Sequence, residues 1–123
     1  MKIKKVEIRI KSINNVFNDV KETVKKIERG EKLKPVTEPE IYFTSFEAFR
    51  KALTPKRLEL LHIIRIKKPS SLHELARITK RDIKNIAEDV DYLEHMGLIE
   101  KKAENKKIAP VISYDKIAFE IAV

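Results

Sequence analysis

The chain has no cysteine and only two glycines, and aromatic residues make up 7% of its 123 positions. Without cysteine, disulfide staples, thiolate-held zinc and thiol nucleophiles are excluded. With glycine only at Gly30 and Gly97, there is no glycine-rich loop to cradle a phosphate. The scarcity of aromatics leaves Tyr92 as the single stacking platform to offer a single-stranded nucleic acid. No run approaches the roughly 18 consecutive apolar residues that a membrane-crossing helix needs. The start, Met1 to Glu7, holds no apolar stretch of signal-peptide length, so the expectation is a cytoplasmic protein without membrane contact.

What is present is charge. Apolar residues make up 42% and charged residues 37%, too apolar for a disordered chain. The length allows one domain, or a small domain with an extension, and a core that needs no staple. Lys and Arg number 27 against 19 Asp and Glu, a formal +8. Residues 1–53 carry 13 basic and 8 acidic groups, hence +5; residues 54–123 carry 14 and 11, hence +3. The excess is therefore not a basic tail on a neutral body. A spread excess of this kind favours a polyanionic partner, nucleic acid before a membrane surface.

The first half reads as strand, helix and linker. Ile3, Val6, Ile8 and Ile10 alternate with charged residues, the period of a half-buried strand. Ser12 or Asn15 can cap a helix on which Ile13, Val16, Phe17, Val20, Val24 and Ile27 form one stripe, with Gly30 as its stop. Residues 31–40 contain Pro35 and Pro39 without periodicity and read as a linker. A short apolar run, Ile41 to Phe43, precedes a helix over Phe46 to Leu53; Tyr42, Phe43, Phe46 and Phe49 read as core.

The second half is more informative. Thr54-Pro55 is a capping hydroxyl followed by proline where no N–H is needed. The helix that follows is apolar around most of its circumference, which predicts burial on more than one side, and Lys68-Pro69 ends it. Ser70 or Ser71 caps a short second helix, with Glu74 completing a capping box to Ser71. After a turn at Thr79-Lys80-Arg81, a third helix runs from about Asp82 to Met96. Its Ile83, Ile86, Ala87, Val90 and Leu93 lie on one side, and Arg81, Lys84, Asn85, Glu88 and Tyr92 on the other. A short helix, a tight turn and a longer helix with an exposed polar face is the helix-turn-helix pattern. Residues 98–102 and 107–112 then read as two strands around a polar turn, a hairpin whose tip carries Lys101, Lys102, Lys106 and Lys107 around Asn105.

Three segments resemble winged-helix transcriptional regulators of archaea and bacteria, MarR-like and ArsR-like in the broad sense. They are Leu53 to Leu61, Ser71 to Arg77, and Asp89 to Glu100 with its Leu-Glu-x-x-Gly-Leu-Ile element, and the resemblance covers about residues 53–112. It implies duplex DNA as partner and a homodimer as working form.

The sequence thus predicts an α+β fold: a winged helix-turn-helix domain over 41–123, preceded by a strand–helix extension and linker over 1–40. The expected function is sequence-specific double-stranded DNA binding as a dimeric transcriptional repressor, not an enzyme, with the helix from Arg81 in the major groove. Arg81, Lys84 and Asn85 are the base-contact candidates, since Arg and Lys pair with guanine and Asn with adenine. Ser70, Ser71, Lys80, Lys101, Lys102, Asn105, Lys106 and Lys107 are the phosphate-contact candidates. His62, His73 and His95 have no metal-ligand spacing, and Glu88, Asp89, Asp91 and Glu94 read as a solvated helix flank, so no metal and no cofactor are expected. The alternative is a protein-interaction module, or an antitoxin-like protein whose partner sits on the N-terminal helix.

Overall fold

A computed structural model describes residues 5–32 and 40–121, the Glu104 side chain excepted. Within them the fold is α+β, with five helices and two small sheets. Ile3, most of the expected linker (residues 33–39) and the last two residues lie outside this range. The chain divides into two units, residues 53–113 forming one and the described residues on either side the other.

The outer unit is built on β1 (Lys5–Ile10), which lies between β2 (Glu40–Phe43) and β5 (Lys116–Ile121), parallel to both. Parallel neighbours need a long crossover. From β1 to β2 it includes α1 (Ile13–Glu28), and from β2 to β5 it includes α2 (Phe46–Ala52) and the whole of the second unit. The register aligns Ile8 with Ile41 and Phe119, and Arg9 with Tyr42 and Glu120, so one face is apolar and the other charged. Val6 and Ile8 are buried, and Phe43, Phe46 and Phe119 gather around Phe49 at centroid distances of 5.7, 5.8 and 4.4 Å. Tyr42 and Phe46 nevertheless remain exposed and only partly join this core.

The expected boundary at residue 40 is therefore misplaced. Residues 41–52 and 114–121 belong with the first strand, because β2 and β5 draw their backbone hydrogen bonds from β1. Periodicity marks a strand but not its partner.

The inner unit contains α3 (Pro55–Lys67), α4 (Leu72–Thr79), α5 (Ile83–His95), β3 (Glu100–Glu104) and β4 (Lys107–Val111). Thr54, Ser71 and Asp82 cap the three helices, their side-chain oxygens accepting from the backbone N–H of Arg57, Glu74 and Lys84. Leu60, Leu61, Ile64, Leu75, Ile86, Val90, Leu93, Leu98 and Ile99 form the core, and β4 packs on α3 and α4. The α3 helix is buried on one side only, with Leu58 and Ile66 in solvent, which corrects the expectation of several buried sides. The hairpin is displaced by two residues, since Leu98 and Ile99 plug the core before β3 begins.

Candidate functional site

The α4–turn–α5 corner is made by backbone chemistry. At the end of α4 the Arg81 N–H reaches back to the Ala76 carbonyl and the Lys80 N–H to Arg77, with Lys80 left-handed at φ 56°. This is a Schellman closure, and it turns the chain sharply enough for α5 to start two residues later at the Asp82 cap.

Arg81 therefore precedes α5 and is not its first residue. Its guanidinium does not join the exposed face; it donates to Asp89 at 2.6 Å, one helical stretch further along. Asp89 also accepts from Arg57 of α3 at 3.1 Å, and the Arg57 guanidinium lies 3.9 Å over the Tyr92 ring. Asp89 is thus a partly buried clasp that ties α3, the turn and α5 together, not the solvated flank its sequence neighbours suggested. Tyr92 has Arg57 over one face of its ring and stays exposed otherwise. The face α5 leaves free at its N-terminal end carries Lys84 and Asn85, both exposed, followed by Glu88.

The hairpin closes with Asn105 and Lys106, both at positive φ (51° and 64°), the signature of a two-residue type I′ turn. Lys106 and Lys107 are exposed at the tip and Lys102 along the strand. Lys101 is not at the tip. It sits opposite Pro110 near the base, where its ammonium pairs with Asp91 and lies 3.4 Å from Glu94. The hydrogen bond to Asp91 holds its pKa above the ordinary lysine value. Lys101 therefore fastens the hairpin to α5 and leaves the set of free cations.

At the start of α4, Ser71 is buried and spent on its cap, accepting from the Glu74 N–H at 3.1 Å. The capping box is rearranged: the Glu74 carboxylate accepts from the Ser70 hydroxyl at 2.6 Å, which lowers its pKa. Both serines are engaged by their own helix. The charges of Arg77 and Lys107 lower the Glu74 pKa further, and the hairpin's β4 strand packs on α4. Lys68 and Arg77, on either side of the Ser71 cap, are exposed cations outside the sequence-based set. Lys68 was read as a helix stop, and Arg77 only as the end of the segment that resembles a second helix.

The outer unit has a second feature. On α1 no residue is buried, and Ile13, Phe17, Val20, Val24 and Ile27 are each about half exposed. Lys11 reaches Asp19 at 2.7 Å and lies 4.7 Å over the Tyr42 ring, which anchors the helix near β2. Val16, Val20, Val24 and Tyr42 line a shallow groove of about 250 Å³ between them.

Among the described residues no group of three His, Asp or Glu side chains is placed to hold a metal, and no helix is long and apolar enough to cross a membrane. No curated protein matches the chain. One family model, described as HVO_A0114, matches residues 52–119, more than half of the chain and the whole of the inner unit.

Proposed function

The chain belongs to the HVO_A0114 family, and from the arrangement of its inner unit we propose that it is a double-stranded DNA-binding transcriptional regulator whose inner unit is a winged helix-turn-helix. In this reading α4 and α5 are the two helices of the motif and the β3–β4 hairpin is the wing. One observation carries the reading. The N-terminal end of α5 leaves Lys84 and Asn85 exposed beside the Lys80 turn, and the lysine-tipped hairpin packs its β4 strand on α4. Neutral and cationic donors on the first turns of such a helix suit base edges in the major groove, while lysines around them suit phosphates.

The roles divide accordingly. Lys84 and Asn85 read bases, Asn85 being suited to adenine. Lys80, Lys102, Lys106 and Lys107 meet phosphates, with Asn105 shaping the tip. Arg81 acts through Asp89 to fix the angle between α4 and α5, and Lys101 fixes the wing. The working form is a homodimer. The α1 stripe supports it, because its apolar residues recur at alternating steps of four and three, the spacing of a helix–helix seam. The same stripe favours the second reading, in which a different protein occupies α1.

The test is a titration against duplex from the protein's own upstream region and against random duplex, at two salt concentrations. The expected result is tighter binding to the first, persisting at high salt. Asn85→Ala should cost about 1–3 kcal/mol on the specific duplex and little on the random one. Equal, salt-erased binding to both duplexes would overturn sequence reading and leave α1's partner as the function to pursue.

A further inference from the structure

Left-handed backbone is costly for any residue with a Cβ, and glycine is the usual occupant. The chain follows that rule at two helix ends. A Schellman closure ends α1 with Gly30 at φ 74° and α5 with Gly97 at φ 86°. The closure of α4 has the same hydrogen bonds, yet its left-handed residue is Lys80. The left-handed end of α3 is Lys68, φ 47°, and the second turn position of the hairpin, where glycine is the strongest choice, is Lys106, φ 64°. Among the described residues four non-glycine positions have positive φ, the fourth being Asn105, a type that tolerates it. Three of the four are lysine, although lysine fills 20 of 123 positions. All three are exposed and all lie in the inner unit.

Helix-end electrostatics does not account for the choice. A cation near a helix C-terminus is favourable, but α1 obtains that from Lys25 and Lys26 in its last turn and still keeps glycine at the left-handed site. Lys106 is in a hairpin turn and terminates no helix. Backbone strain maintained at a surface position points to a use for the side chain.

We infer that Lys68, Lys80 and Lys106 are kept against their backbone cost for their charge, as three fixed anchors for phosphates of a nucleic-acid backbone. This rests on the DNA-binding reading and adds to it a specific contact set, including Lys68, which the sequence pattern did not mark. Lys68 and Lys80 bracket α4, and the hairpin carrying Lys106 packs on the same helix through β4. The left-handed geometry holds each Cα at a sharp corner of the chain, so the ammonium is presented from a rigid point. The ligand is the phosphodiester backbone, recognised without regard to sequence.

The experiment uses the full chain, with Lys→Gly at the three positions singly and together, and the matching Lys→Arg variants. Each Lys→Gly change relieves strain, so the melting temperature should rise by about 2–4 °C per site and the variants should fold. Binding of a labelled random-sequence duplex is followed from about 50 to 200 mM salt. The slope of log affinity against log salt should flatten by about 0.9 for each glycine and be kept by arginine. More stable glycine variants with an unchanged slope would overturn the anchors while leaving the DNA reading intact. Glycine variants that melt lower would overturn the strain on which the inference depends. Absence of binding by the unmodified chain at every salt concentration would overturn the DNA reading, and this inference with it.

Discussion

Asp89 shows how much a single side chain can organise. It lies in a run of acids on α5, yet it alone turns inward and takes two guanidiniums, Arg57 and Arg81. The pairs are partly screened, so their worth is below that of a fully buried pair. Removing the carboxylate strands two half-buried cations at once, which is the expensive direction. Asp89→Ala should therefore lower stability by about 2 kcal/mol in urea unfolding, whereas Asp91→Ala, at an exposed pair, should cost a few tenths. Equal costs would remove the clasp. The distinction was not legible in the sequence. Helical spacing puts Asp89 and Tyr92 on adjacent sides of α5, but the arginine that reaches them starts 32 residues away on α3. By contrast Thr54 was legible as a cap, and Ser12 and Ser71 as one of two candidates each, because a cap is satisfied within three residues of itself.

At the scale of elements, α1 is the anomaly. Its cap, its stop at Gly30 and its stripe all follow from local pattern, and an amphipathic stripe ordinarily means a face turned to the core. Here the stripe faces solvent. If it seats a second copy, Phe17→Ser should convert a dimer to a monomer in sedimentation while leaving the helical circular-dichroism signal unchanged, since no packing inside one chain is lost. A monomeric unmodified chain would refute the dimer and direct attention to a different partner. The hairpin gives the opposite lesson. Two strand-like runs around a polar turn located it to within two residues, and only the demand of the core for Leu98 and Ile99 moved its start.

The whole molecule carries its charge unevenly in function though evenly in sequence. Between residues 53 and 113 there are 13 basic and 9 acidic groups, hence +4. Arg57, Arg81 and Lys101 are tied to acids within the unit, and the exposed remainder is shared among α3, α4, the turn after it, the start of α5 and the hairpin. Titration follows from the same network. Burial raises the Tyr114 phenol, and Asp91 raises Lys101, from ordinary values of 10.0 and 10.5. A group raised on folding lends stability that is complete below its ordinary value and is lost as pH climbs through the folded one. Glu7, held down chiefly by Lys5, and Glu74, held down by Ser70, lie below 4.5 and do the reverse. Stability should be flat from about pH 5 to 9.5 and fall on either side. Tyr114→Phe should make the alkaline fall shallower; an unchanged profile would remove the phenol as its cause.

The sequence by itself determined the local and periodic features: four of the five helix starts, the hairpin, the α+β class and the excess of positive charge. Each depends on interactions closed within a few residues, where residue type and spacing are sufficient. The tertiary structure decided which strands pair, and so that β5 returns beside β1 across the inserted inner unit. It also decided which charges are free. Arg81, Ser71 and Lys101 have the right chemistry for a phosphate or a base, but each is taken by a neighbour brought close by the fold. Lys68 looks unremarkable in the sequence until the backbone shows it left-handed. Pairing and availability are long-range properties, and no local pattern encodes them.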